Sequence, residues 1–301
     1  VRYDGNHKRS SFLCSSLAPF VEWVPVCPEV GIGLGVPRPA LRLADDGSGE
    51  RLVERRTGRD HTERMIRWSR AKARVLASLD LDGVVLRSKS PSCGPSRVHV
   101  FLGEQTMPRM GEGLFAGVVR EALPGVPISE DGWLHDAGLR DAFLAQLFTH
   151  HRLRRALTEG PGGLAGFHDA HDLLFLAHCP SRRHTLGRLL ARNGSTPWPV
   201  LSTAYRVAAT AALGVPSTPE KHAFVLGCVL SLVAPRLADG DEGEILDAIE
   251  DLRAGVHDAA VPRALLAHHL RADGKSTWLA RQAYWEPYPR AIAGLAARSA
   301  R

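Results

Sequence analysis

Apolar and polar positions change their period once along the chain. In the first 130 residues, short apolar runs flank one amphipathic helical stretch. Val21-Glu22-Trp23-Val24-Pro25-Val26 has strand-like content and stops at Cys27, after which Gly31, Gly33, Gly35, Pro37 and Pro39 enforce an irregular loop. Asp60 and Glu63 have the spacing of a capping box, and Met65, Trp68, Lys72, Val75, Leu76 and Leu79 mark an amphipathic helix. It leads to a short buried strand, Gly83-Val84-Val85-Leu86, and then to Arg87-Ser88-Lys89-Ser90-Pro91-Ser92-Cys93-Gly94, whose Ser, Pro and Gly content stops helix and sheet alike. A helix near Gly111 to Glu121 and a strand at Val126-Pro127-Ile128 follow, with Ser129-Glu130-Asp131-Gly132 reading as a hinge. From about Trp133 the period is helical, with Leu139, Phe143, Leu147 and His151 on one stripe. Thr218-Pro219 is a helix start, Gly255 a stop, and Pro262 opens another helix. The pattern predicts an α/β domain over residues 1–130, with a Rossmann-like open sheet, followed by an all-α domain over residues 134–301. In such sheets, sites form beyond the carboxyl ends of the strands, where Cys27 and Cys93 could meet.

With 301 residues and 44% hydrophobic content, the chain can bury two ordinary cores, and its composition excludes collagen, disorder and a disulfide scaffold. The most apolar run, Ala223 to Ala234, is too short to cross a bilayer and reads as a buried helix, so no membrane partner is expected. The start, from Val1, lacks an initiator Met and the apolar region of a secretion signal, which predicts a longer natural chain. Five widely spaced cysteines (Cys14, Cys27, Cys93, Cys179, Cys228) argue for reduced thiols and a cytoplasmic location. The net charge of +6 is carried mostly by Arg; Arg64, Arg67, Arg70 and Arg74 form one helical face, read as solvated in preference to a nucleic-acid contact.

Two stretches carry the most chemistry. Cys27-Pro28-Glu29 and Ser90-Pro91-Ser92-Cys93-Gly94 each place a thiol in a loop with exposed backbone N–H groups and a polar neighbour, the setting that suits a thiolate ligand. On spacing alone the pair reads either as metal or cluster ligands or as ordinary buried cysteines. In the second half, His168, His171, Phe175 and His178 share a helical face, which suits a metal, a polar ligand or a structural role. The pairs His150-His151 and His268-His269 point to different faces and are weak metal candidates, and Cys179 and Cys228 read as buried apolar residues.

Five ordered blocks in the first half resemble the thiouracil desulfidase family, once known only as a domain of unknown function. They are Val1-Arg2-Tyr3-Asp4-Gly5, Pro25-Val26-Cys27-Pro28-Glu29-Val30, Gly33-Leu34-Gly35-Val36-Pro37-Arg38, Gly58-Arg59-Asp60-His61-Thr62 and Lys89-Ser90-Pro91-Ser92-Cys93-Gly94. The resemblance implies a [4Fe-4S] cluster held by three cysteines, with one iron left open. Cys27 and Cys93 match two ligand positions; the third cysteine is expected upstream of Val1, and Cys14 does not match it. The implied reaction removes sulfur from a thiolated base, the open iron acting as Lewis acid and sulfur acceptor while water attacks the carbon. Glu29 is placed to move protons, and Ser90 to hydrogen-bond substrate or water; Asp4, His7, Arg38 and Asp60 match polar positions further out. The second half, from about Leu134 to Tyr288, resembles the helical domain typified by the bacterial protein YbgA, through Gly166-Phe167-His168-Asp169-Ala170-His171-Asp172, Thr218-Pro219-Glu220-Lys221-His222 and Pro287-Tyr288-Pro289. It departs from that family around Ala223, Phe224, Gly227 and Cys228.

The leading expectation is therefore an iron-sulfur-dependent desulfidase acting on thiolated nucleobases or related thioamides, a small-molecule partner. The alternative is a non-enzymatic protein that binds nucleic acid or a regulatory ligand, its cysteines structural. Zinc at Cys27 and Cys93 is a weaker third reading, because the paired Cys-x-x-Cys spacing of structural zinc is missing.

Overall fold

The computed structural model describes residues 4, 9–102, 109–238, 240–272 and 278–292. Among these, one compact unit runs to Ala137 and takes in the residues from Arg290, and the other is Gly138–Pro289. The order α/β then all-α follows the change of period in the sequence.

The first unit opens with a short π-type helix, Phe12–Leu17, and a 3-10 turn, Ala18–Phe20. Residues 21–27 then join no sheet, contrary to their strand-like content; Pro25 has no N–H to give a ladder, and Trp23 and Val24 stay exposed. The one-turn helix α1 (Pro28–Gly31) starts directly after Cys27. Strands β1 (Leu41–Asp45) and β2 (Glu50–Glu54) form an antiparallel hairpin that the hydrophobic pattern does not announce; its turn is Asp46-Gly47-Ser48-Gly49. Next come α2 (Thr62–Ala77), β3 (Val84–Leu86), β4 (Val98–Leu102), β5 (Arg109–Gly111), α3 (Leu114–Ala122) and β6 (Ile128–Glu130).

The strands fall into two sheets. One is mixed, in the order β2-β1-β4-β5, with β1 and β4 parallel; the other is the parallel pair β3 and β6, with Leu86 opposite Glu130. The core between sheet and helices holds Leu43, Leu52, Met65, Val100, Ala116 and Val119, all fully buried. Each of the large ones contributes about 1.5–3 kcal/mol of burial. On α2 the buried face is Met65, Ser69, Ala73 and Leu76, while Val75 is exposed, as is Leu79, which the helix ends short of, so the buried stripe is narrower than the apolar residues suggest. Asp60 accepts from the Thr62 amide (2.7 Å) and closes the start of α2. Strand β6 lies two residues later than the sequence suggests and absorbs half of the segment read as a hinge.

The second unit is built from α4 (Ala137–Thr158), α5 (Gly160–His178), α6 (Pro180–Ala191), α7 (Trp198–Leu213), α8 (Pro219–Val233), α9 (Asp241–Arg253) and α10 (Ala260–Ala272). Its core gathers Leu164, Leu174, Phe175, Tyr205, Leu226, Ile245 and Tyr284. Thr218 caps α8 by accepting from the Lys221 amide, as Thr218-Pro219 predicts. No helix among the described residues is long and apolar enough to cross a membrane.

Candidate functional site

The loop after β3 is shaped by its own serine and by a helix. The Ser90 hydroxyl accepts from the amides of Ser92 (3.3 Å) and Cys93 (3.1 Å), and the Ser90 carbonyl accepts from the Gly94 amide (2.8 Å). The first amides of α3, which have no partners within their helix, donate to carbonyls of this loop. Phe115 and Ala116 reach the Ser92 carbonyl at 2.9 and 3.2 Å, and Leu114 reaches Pro91. Gly113, just ahead of α3, donates to the Gly94 carbonyl at 2.8 Å. A methyl group there would fall 2.6 Å from backbone atoms of Ser92. The loop bearing Cys93 is thus clamped to the start of α3, and only a glycine lets the two backbones come this close.

Cys27 arrives from the other side, on the residue that caps α1, with its carbonyl accepting from the Gly31 amide. The two loops are tied by Glu29. Its Oε1 accepts from the Ser92 hydroxyl at 3.0 Å across 63 residues of sequence, and its Oε2 takes the Nε–H of Arg38 at 2.7 Å. The Arg38 side chain is only 3% exposed. Cys27 and Cys93 are both half-buried. Burial pushes the Cys93 thiol up, and the charges of Glu29 and of Cys27 push the same way, against a hydrogen bond from the Ser90 hydroxyl. The two thiols and Glu29 therefore share one electrostatic neighbourhood.

Sequence reasoning selected Cys27, Cys93, Glu29 and Ser90, and these stand together. Ser92 it missed as a link, and Arg38 it placed further out, although an Arg inside a Gly- and Pro-rich loop nine residues from an acid was a signal that the two pair. Asp60 stands at the start of α2, exposed. Asp4 is exposed, and His7 lies outside the described residues. Arg64, Arg67, Arg70 and Arg74 are all exposed.

Two half-buried thiols in one electrostatic neighbourhood are soft donors, the residue type that could hold a metal or an iron-sulfur group. Among the described residues no group of three or more His, Cys, Asp or Glu side chains is placed to hold a metal ion.

The histidine face of α5 is spent internally. His168 Nδ1 and the Tyr205 hydroxyl are 2.8 Å apart, His171 Nδ1 donates to the Phe167 carbonyl (2.7 Å), and His178 Nδ1 donates to the Val215 carbonyl (2.8 Å). His171 Nε2 accepts from Arg152 Nε at 2.9 Å, which fixes its ring neutral. Of the three roles open to this face, the structural one accounts for these contacts. Cys228, read as buried, is exposed on α8, because the face of α8 that packs is the one carrying His222, Val225, Leu226 and Val229.

Residues 1–131 match the family model of 2-thiouracil desulfurase, and residues 173–289 match that of a protein family of unknown function, DUF1722. A solved structure described as a [4Fe-4S]-dependent thiouracil desulfidase, TudS, is 27% identical, covering 47% of this chain and 89% of that one, with a TM-score of 0.38. No curated protein matches.

Proposed function

We propose that this protein is an iron-sulfur-dependent desulfidase that removes sulfur from thiolated nucleobases or related thioamides, its site lying in the unit built on residues 1–131. The observation that carries this reading is the Glu29–Ser92 hydrogen bond, which closes the two cysteine loops onto each other inside the region matching the desulfurase family. Cys27 and Cys93 would hold a [4Fe-4S] cluster together with a third cysteine. When bound, that cluster supplies a Lewis-acidic, sulfur-accepting iron.

The chain's own residues do the rest. Glu29, oriented by Arg38 and Ser92, is the proton-handling group: it takes a proton from attacking water and returns one to a ring nitrogen of the base. Ser90 sets the direction of the Cys93 amide and thiol, which fixes where a ligand at this thiol sits. Partial burial of both thiols lowers the local dielectric, so hydrogen bonds beside them are stronger than in bulk water.

The test is anaerobic purification of the natural full-length protein with iron and sulfide analysis, followed by sulfide release from thiouracil. A brown, iron-containing protein that loses colour in Cys27→Ser and in Cys93→Ser supports the proposal. Full-length protein that is colourless and free of iron overturns it.

A further inference from the structure

A cavity of about 300 Å³ opens in the second unit between the end of α8, the end of α10 and the 3-10 turn Leu279–Arg281. Its walls are mostly apolar: Leu232, Leu237, Leu270 and the ring of Trp278. Two basic side chains, Arg236 and His269, share the lining. Leu270 is buried, Arg236 is exposed and Leu232 is 62% exposed, so the cavity runs from the core to a mouth at Leu232 and Arg236. Ligand pockets span about 300–1,000 Å³, and a cavity at the small end of that range fits a small ring compound.

The aromatic wall is held in place by the fold itself. Trp278 donates its indole N–H to the Asp169 carbonyl of α5 (3.1 Å), and Trp285 donates its own to the Leu279 carbonyl (2.6 Å). Gln282, 3% exposed, also reaches α5. Its side-chain amide donates to the Asp169 carbonyl (2.7 Å) and accepts from the Leu173 amide (3.0 Å), the two groups that a turn of α-helix would pair with each other. The segment carrying Trp278 and Leu279 is thus pinned to the backbone of α5. The indole spends its polar atom there and leaves its hydrocarbon to the cavity. A wall fixed in advance lowers the ordering cost of binding.

At the polar end, Asp241 Oδ2 faces His269 Nδ1 at 3.5 Å, so Nε2 is the ring nitrogen offered to a ligand. A guanidinium and an imidazole beside an apolar, aromatic wall complement a carboxylate carried on a flat hydrocarbon body. We propose that this cavity binds a small aromatic carboxylate, its ring against Trp278 and Leu270 and its carboxylate at Arg236 and His269. The site lies wholly within the helical unit, so it neither needs nor reports on the desulfidase reading.

Calorimetric titration of the full-length protein with indole-3-carboxylate and with its uncharged amide, indole-3-carboxamide, tests this. The expected result is saturable binding of the acid, with the amide about tenfold weaker, the size of one lost hydrogen bond to a charged group. Arg236→Gln, at an exposed position, weakens the acid about tenfold and leaves the amide unchanged. Leu232→Glu, also exposed, puts a like charge at the mouth and weakens the acid more than the amide. Equal affinity for acid and amide in the unaltered protein, or no saturable binding of either at millimolar concentration, overturns the proposal, and that arm needs no variant to fold. An acid preference that both variants keep, with their melting temperatures unchanged, overturns it too, because the acid then binds elsewhere on the molecule.

Discussion

Replacing Gly113 by Ala tests how the Cys93 loop is held. The new methyl would sit 2.6 Å from the Ser92 carbonyl carbon and oxygen and 2.9 Å from the Cys93 amide nitrogen. These are backbone atoms, so no side-chain rotation relieves the clash, and the loop and the start of α3 must part by several tenths of an ångström. Overpacking of this kind costs about 1–3 kcal/mol. Separation also weakens the Gly113–Gly94 and Phe115–Ser92 hydrogen bonds, each worth about 1 kcal/mol. The sum is about 3 kcal/mol; with a urea dependence of about 2 kcal/mol per M, the unfolding midpoint of this unit falls by about 1.5 M. Urea titration followed by tryptophan fluorescence reads the shift, since Trp68 packs against Phe115 on α3 at 5.8 Å between ring centres. Peptide mapping after brief iodoacetamide treatment should show faster alkylation of Cys93. Gly35→Ala is the control: no atom lies within 4 Å of the added methyl, and its effect stays within about 0.5 kcal/mol. An unchanged midpoint in Gly113→Ala, with Cys93 no more reactive than before, would refute the argument that this contact clamps the loop.

Other substitutions follow from the same geometry. Arg38→Ala leaves the Glu29 carboxylate without its buried cation and should cost about 3 kcal/mol in a urea titration. Ser92→Ala removes one hydrogen bond to Glu29 and should cost less, about 1.5 kcal/mol. Equal effects of the two would show that Arg38 is not the main support of Glu29. The helical unit should lose stability in mild acid. Burial, followed by Arg152 in one case and Arg263 in the other, pulls His171 and His222 down to about 3 from 6.5 in the unfolded chain. Above pH 6.5 neither state binds the proton; below it only the unfolded chain does, so stability falls as pH drops from 6.5 towards 3. At about 1.4 kcal/mol per pH unit for each histidine, the two together weaken the unit by on the order of 4 kcal/mol by pH 5. Urea midpoints at pH 7 and 5 measure this, and His222→Gln should lower the slope by about 1.4 kcal/mol per pH unit, with His168 and His178, also held down by burial, adding to what remains; a slope the variant leaves intact would assign the acid sensitivity elsewhere.

The sequence by itself determined what is local. The switch from short apolar runs to a 3.6-residue period separated the α/β part from the helical one, because periodicity depends only on which face of an element is buried. Turn-forming residues marked the Cys93 loop, and the motif blocks singled out Cys27, Glu29, Ser90 and Cys93, which the fold does bring together. The hairpin of β1 and β2 escaped, since Leu41 and Leu43 alternate too briefly to stand out and Leu52 and Val53 are adjacent, though Asp46-Gly47 was a turn signal. Only the tertiary structure decided that Ser92 joins Glu29 across 63 residues, that Arg38 is buried against that carboxylate, that Gly113 lets the start of α3 approach the Cys93 loop backbone, and that the three histidines of α5 are used up in internal hydrogen bonds. The reason is that a side chain's partner, unlike its helix or strand, is set by which distant segments packing brings within about 3 Å, and no period along the chain encodes that distance.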